Sequence, residues 1–161
     1  MINMKKGMVM IAATLAGGLA GAASVWKIKG KREAMAREYS DKHLSIMLMY
    51  NQWLATKQDG KSIVTFFKEN GYNSIAIYGM SYVGERLLEE LKDSEIIVKY
   101  AIDKNADRIY ADVDVVSPDD SLDEVDAVVV TSNFYFDAIE EILQDKVDCP
   151  IINFEDILYE I

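Results

Sequence analysis

The residues best placed to do chemistry lie where a short apolar strand is predicted to run directly into a helix. The strand covers residues 74–78, and the turn that follows it reads Gly79-Met80-Ser81-Tyr82-Val83-Gly84. In turns of this kind the first glycine permits the tight bend and the last lets helix and strand pack closely. The helix N-terminus then offers free N–H groups to a phosphate. The spacing therefore predicts a phosphate-binding turn over residues 79–84.

An acidic residue stands where a ribose would be held. A second apolar strand is predicted over residues 96–102, and it is followed by Asp103, 19 residues beyond Gly84. A carboxylate there can accept hydrogen bonds from ribose hydroxyls and disfavours a 2′-phosphate. This favours NAD, or a nucleotide-sugar as the alternative ligand, over NADP. Ser81 departs from the pattern because it takes the place of the middle glycine, so a turn that keeps its shape and binds nothing is the alternative.

The rest of the chain beyond residue 72 repeats the alternation of strand and helix. Further strands are predicted at residues 113–116, 127–131 and 151–154, and Ser132 or Asn133 could cap the helix between the last two. The strand at 127–131 is almost wholly β-branched, which is typical of a strand buried on both faces. The pattern indicates an α/β domain.

Right-handed crossovers between these strands predict a Rossmann-like, five-stranded parallel sheet of order 3-2-1-4-5. Ligands of such sheets bind beyond the carboxyl ends of the strands, where the strand order reverses. The residues predicted to bind the nucleotide are Gly79, Met80, Ser81, Tyr82, Val83, Gly84, Asp103, Lys104, Thr131, Ser132 and Asn133.

No catalytic or metal-binding residues are predicted. Tyr100 and Lys104 have the spacing of the catalytic pair of short-chain dehydrogenases, but here they span a strand and its loop, where residues four apart do not meet. His43 has no second histidine or cysteine near it in the sequence. Cys149 precedes a proline at a strand entrance and is expected in the core.

An uncharged segment of twenty residues, 7–26, is long enough to cross a bilayer as a helix. The four basic residues within 27–32 place the following domain in the cytoplasm by the positive-inside rule. The sequence therefore predicts a single-pass membrane anchor. A cleavable signal peptide, with residues 20–22 as the small-residue cleavage site, is the alternative.

Between anchor and domain, helices are predicted over residues 33–57 and 61–70, the second ending at Gly71. Apolar residues recur every three or four positions along the first of them, so it is expected to pack on the domain or to form a homodimer through residues 33–56. The predicted organisation is an anchor over 1–32, a helical region over 33–71 and an α/β domain over 72–161.

The charge of the chain is strongly divided. Residues 1–71 carry 11 Lys/Arg against 5 Asp/Glu, whereas residues 72–161 carry 6 against 22. A domain with a net charge of −16 repels a phosphate backbone at long range, which argues against nucleic acid as a partner. The single cysteine, Cys149, excludes an internal disulfide.

Four segments carry a resemblance to known proteins: Ile-Tyr-Gly-Met-Ser-Tyr-Val-Gly at 77–84, Ala-Ile-Asp-Lys-Asn at 101–105, Val-Ser-Pro-Asp-Asp at 116–120 and Asp-Ala-Val-Val-Val-Thr at 126–131. Over residues 72–161 the chain resembles the small Rossmann-like domains of bacterial surface-polysaccharide enzymes, such as the N-terminal domain of sialic-acid-type sugar O-acyltransferases and domains near sugar-nucleotide epimerases. The resemblance implies binding of NAD or a nucleotide-sugar by an accessory unit.

Three functions are compatible with these observations. The first is a membrane-tethered cytoplasmic accessory protein that binds NAD or a nucleotide-sugar for surface-polysaccharide biosynthesis. The second is an incomplete dehydrogenase or epimerase that a partner completes. The third is an interaction module that has the Rossmann shape and binds no ligand.

Overall fold

A computed structural model of the chain describes the backbone of residues 2–161 and the side chains of Trp26 and of residues 29–161. The chain divides into two compact units, of which the first ends at Leu44 and the second comprises Ser45–Ile161. The second unit contains the sheet and every site residue predicted from the sequence.

The first helix, α1, spans Ile2–Gln58 and includes the helix predicted from residue 33 onward. It ends next to Asp59-Gly60, where a break was predicted, and Gly60 has a positive φ of 73°. Where side chains are described, no helix is both long and apolar enough to cross a membrane. The predicted span, residues 7–26, lies outside those residues except for Trp26.

A parallel five-stranded sheet forms the centre of the second unit, with the order β3-β2-β1-β4-β5. The predicted α/β class and strand order are thus confirmed. The strands are β1 (Ser74–Tyr78), β2 (Ile97–Ile102), β3 (Val115–Val116), β4 (Ala127–Val130) and β5 (Ile151–Asn153). Because β1 pairs with β2 on one side and β4 on the other, the strand order reverses at β1.

The remaining helices are α2 (Ile63–Glu69), α3 (Tyr82–Leu91), α4 (Phe136–Leu143) and α5 (Phe154–Glu160). The Ser62 side chain caps α2 by accepting from the N–H of Val64. Gly71 follows α2 at φ 75°, the left-handed conformation expected of the glycine predicted to end this helix. The helix predicted after β4 begins later than expected, at Phe136, because a 3₁₀ turn over Asn133–Tyr135 precedes it.

Each face of the sheet has its own apolar core. One core joins the sheet to the end of α1 and to α2, α3 and α5. The other lies under α4 and contains alternate residues of the same strands, among them Tyr78 and Tyr100. Burial on both faces explains the β-branched run of β4, whose four residues are all fully buried.

The last turns of α1 belong to the core of the second unit. Met49 is fully buried and Trp53 is 5% exposed. The Trp53 ring packs edge-on against Phe154 of α5 at a centroid distance of 4.7 Å, and its Nε1 donates to Glu90 of α3 at 2.9 Å. Gln52 adds a hydrogen bond from Nε2 to the Leu158 carbonyl, which is near the end of α5. Part of the predicted apolar stripe therefore packs on the domain.

Candidate functional site

Gly79 occupies a position that no other residue can fill without strain. Its φ is 98°, a left-handed conformation that side chains disfavour. A Cβ added there would lie 2.7 Å from Ser132 Oγ and 2.9 Å from Thr131 Oγ1. The turn therefore requires glycine for its conformation, as the sequence predicted, and also for the space that Ser132 and Thr131 leave.

Gly84 brings α3 against the end of β1. A Cβ added to Gly84 would lie 2.1 Å from the carbonyl oxygen of Gly79, far closer than real Cβ atoms approach a backbone atom. The first turn of α3 thus lies directly on the turn that follows β1. This is the close helix–strand packing expected of the last glycine.

Ser81 at the middle-glycine position is not strained, because its φ of −89° and ψ of −167° are ordinary extended values. Although Ser81 is the N-cap residue of α3, its side chain makes no capping hydrogen bond. The first N–H groups of a helix have no partner within the helix. The first N–H groups of α3 lie beside Ser81, which is exposed, and beside Tyr82, whose side chain is 80% exposed. Met80 and Val83 point into the core, so only their backbone could contact a ligand.

Asp103 is joined to the glycine turn by a hydrogen bond that the sequence did not predict. Its Oδ2 accepts from the N–H of Met80 at 2.9 Å, and its Oδ1 accepts from the N–H of Asn105 at 2.8 Å. The carboxylate therefore stabilises the turn even without a ribose. Oδ1 also accepts from Asn105 Nδ2 at 3.4 Å, whereas Oδ2 keeps a further lone pair for a hydroxyl group. Lys104, the neighbouring predicted site residue, is exposed.

Thr131 holds the glycine turn from the opposite side. It is buried at the end of β4, and its hydroxyl donates to the Gly79 carbonyl at 2.6 Å, with the Tyr78 carbonyl 3.1 Å away. The end of β4 and the end of β2 therefore both contact the turn after β1. The predicted convergence of Gly79, Asp103 and Thr131 at the carboxyl edge is what the structure shows.

Asn133 makes contacts that differ from the predicted cap. Its Nδ2 donates to Ser45 Oγ of α1 at 2.9 Å and to Glu155 of α5, and its Oδ1 accepts from Asn153 Nδ2 at 3.0 Å. Both amide hydrogens thus join α1 and α5 to the end of β4. Ser132 makes no capping hydrogen bond either. The sequence offered no signal for this network because its members are far apart in the chain.

Tyr78, the residue before Gly79, has a buried hydroxyl without a hydrogen-bond partner among the described residues. Burial raises the pKa of this phenol, and the negative charges of Asp103 and Asp119 raise it further, so the group stays neutral. An unsatisfied buried hydroxyl is costly. We therefore expect Tyr78→Phe to increase the free energy of unfolding by about 1 kcal/mol in chemical denaturation.

Tyr100 on the neighbouring strand is a matched control for that substitution. It lies in the same core, but its hydroxyl donates to the Asp123 carbonyl at 2.6 Å. Tyr100→Phe should therefore lower the free energy of unfolding by about 1 kcal/mol. If both variants raised or both lowered the free energy of unfolding, the effect would not depend on whether the hydroxyl has a hydrogen-bond partner.

The groups considered for catalysis differ in exposure and in hydrogen-bond partners. Tyr100 is hydrogen-bonded within the core, and burial raises its pKa to about 12, whereas Lys104 is exposed in the following loop. Burial raises the pKa of the Cys149 thiol, which disfavours the reactive thiolate. The Nδ1 of His43 is hydrogen-bonded to the Tyr39 carbonyl at 2.6 Å. Among the described residues no cluster of ligands could hold a metal ion.

Three cavities formed by described residues lie away from the glycine turn. One lies between α1 and α3, one between the end of α3 and the start of β2, and one beside Cys149.

Similarity to known proteins identifies no further residues of the site. No protein-family model matches the chain, and no curated protein or solved structure is significantly similar to it.

Proposed function

We propose that the chain is a nucleotide-binding accessory protein, tethered to the cytoplasmic face of a membrane by residues 7–26, that binds NAD or a nucleotide-sugar across residues 79–84. A role in surface-polysaccharide biosynthesis is part of the proposal and rests on the resemblance of residues 72–161 alone. The tether rests on the uncharged length of residues 7–26 and on the basic residues that follow it.

The observation that carries the binding proposal is the double glycine requirement at the β1–α3 turn. Gly79 and Gly84 allow the backbone to turn at the strand end and bring the α3 N-terminus to the carboxyl edge. That edge is where the strand order reverses, and it is the place where open parallel sheets bind their ligands. An α3 N-terminus that no side chain caps can donate N–H groups to a pyrophosphate.

The electrostatics require the backbone to do most of the binding. Residues 72–161 carry a net charge of −16, which opposes an anionic ligand. Lys104 is a basic residue next to Asp103 and is exposed, so it can offset part of this repulsion. The partial positive charge of the α3 N-terminus adds an attraction for a phosphate at short range.

A second candidate, the ligand-free interaction module, is favoured by one specific observation. The glycine turn is held by the protein itself: Gly79 donates to the Ile102 carbonyl at 2.8 Å, while Asp103 and Thr131 bond to the turn from either side. A turn that is already satisfied keeps its shape without a ligand. Binding measurements therefore have to separate the two candidates.

Calorimetry on the full chain in a mild detergent, with NAD, NADP, a UDP-sugar and coenzyme A in turn, provides that test. We expect NAD or the UDP-sugar to bind, and Asp103→Asn to weaken binding by about 1–3 kcal/mol because a charged acceptor of ribose hydroxyls is lost. NADP should bind more weakly than NAD because the carboxylate of Asp103 opposes a 2′-phosphate.

Asp107→Asn is the control, because it removes the same charge from an exposed position on the 3₁₀ turn just after Asp103. It should leave affinity nearly unchanged. Equal losses in the two variants would point to the overall charge instead of a ribose contact. No binding of any of the four compounds would leave the interaction module as the better description.

A further inference from the structure

The outward face of α1 carries an apolar ridge that no described residue covers. Met47, Leu48 and Leu54 are each about half exposed and lie on one side of the helix over two turns, with the exposed Asn51 between them. The opposite side of the same turns is buried through Met49 and Trp53. A helix that is apolar on both sides is normally covered on both sides, so the outward face of α1 is expected to contact a second surface. We call Met47, Leu48 and Leu54 the α1 ridge.

A groove runs beside the α1 ridge, between α1 and α3. Its volume is about 370 Å³, and its apolar wall consists of Tyr50, Trp53 and Leu54. The rings of Tyr50 and Trp53 are nearly parallel on this wall, with their centroids 6.1 Å apart. The same surface therefore offers both protruding side chains and a cavity large enough to receive one.

The rim of the groove is electrically balanced on a chain whose net charge is −10. It carries two basic and two acidic residues, Lys57, Arg86, Glu89 and Glu90. Glu90 is already paired, since it accepts from Trp53 and forms a 2.9 Å ion pair with Lys57. Arg86 and Glu89 are exposed on the rim, one of each sign, and Arg86 lies 3.9 Å from Glu85 of its own helix.

The charge pattern favours a second copy of this chain over a partner of one sign. Residues 45–56 contain no Asp, Glu, Lys, Arg or His, so two copies can meet there without bringing like charges together. A strongly acidic or strongly basic partner would complement only one of Arg86 and Glu89. A second copy presents the other sign to each, together with Met and Leu side chains for the groove.

We propose that two copies of the chain associate through the α1 ridge, each placing ridge side chains in the groove of the other. The contact is isologous, so a two-fold axis relates the two ridges and closes the assembly at a dimer. Methionine suits this role because its unbranched side chain adapts to an irregular cavity. Trp53 forms part of the groove wall, but most of its ring is already buried in its own subunit, since it is only 5% exposed.

Sedimentation of the full chain in a mild non-ionic detergent tests the proposal with two charge-matched variants. Met47→Glu with Leu54→Glu places two negative charges on the ridge. Ile142→Glu with Tyr159→Glu adds the same charge at exposed apolar positions of α4 and α5. We expect the first variant to weaken self-association more than about a hundredfold and the second to leave it nearly unchanged.

Circular dichroism shows whether the glutamate variant folds. If it does not, the uncharged variant Met47→Gln with Leu54→Gln should weaken self-association in the same experiment. A monomeric wild type at tens of micromolar, or equal losses in the two charge-matched variants, would each overturn the proposal.

Discussion

Replacing Gly84 by alanine should lower the free energy of unfolding by about 2–3 kcal/mol, the cost of forcing an extra methyl group into a packed site. The added Cβ would lie 2.1 Å from the Gly79 carbonyl oxygen, so α3 has to move away from β1. The clash is with backbone, which cannot rotate aside as a flexible side chain can. Urea denaturation of the variant and wild type measures the effect.

The direction of this effect is informative because glycine-to-alanine changes in helices normally stabilise, by up to about 1 kcal/mol. Gly30→Ala is the control, since Gly30 also lies in a helix and a Cβ there meets nothing within 4 Å. It should be neutral or slightly stabilising. A Gly84→Ala protein as stable as wild type would mean that close packing of α3 on the turn is not required.

Replacing Trp53 by alanine should cost about 3–5 kcal/mol, the range for removing a large aromatic side chain from a core. The variant loses the edge-on contact with Phe154 of α5 and the hydrogen bond to Glu90 of α3, and it leaves a cavity where the ring was buried. Thermal and urea unfolding measure the loss. A loss of this size is expected because the Trp53 side chain is buried in the second unit. If this part of α1 only linked the domain to a membrane, the loss of stability would be small.

Leu54→Ala is the matched control for that substitution, because Leu54 is the next residue and is 56% exposed on the outer face of α1. It should change the free energy of unfolding of the monomer by less than about 1 kcal/mol, as surface substitutions usually do. Similar losses at the two positions would show that the buried side of α1 at Trp53 contributes no more to stability than its exposed side.

Local signals were sufficient for the sheet. Strand β1 was predicted with its observed bounds, β2 and β4 to within one residue, and the order 3-2-1-4-5 followed from the handedness of crossovers. The roles of Gly79 and Gly84 were also predictable, because a tight turn and a close helix–strand approach each require a missing side chain. Strand β3 is two residues long where four were predicted, since the edge position leaves it one neighbour to pair with.

The helical region depended on long-range packing. Residues on both sides of α1 are apolar between positions 46 and 55, so periodicity alone could not tell which side would meet the domain. The structure buries Met49 and Trp53 and leaves Met47 and Leu54 exposed. That choice depends on where Phe154 and Glu90 lie, about 100 and 37 residues further along the chain.

The polar contacts of the site were decided by the tertiary structure alone. The sequence determined that Asp103 follows β2, but not that its carboxylate accepts from Met80, 23 residues away. It placed Asn133 after β4, but not against Ser45 and Glu155. A hydrogen bond depends on ångström-scale distance and direction, which local residue patterns do not encode. The sequence determined which elements form and where their polar groups lie, and only their packing decided which of those groups meet.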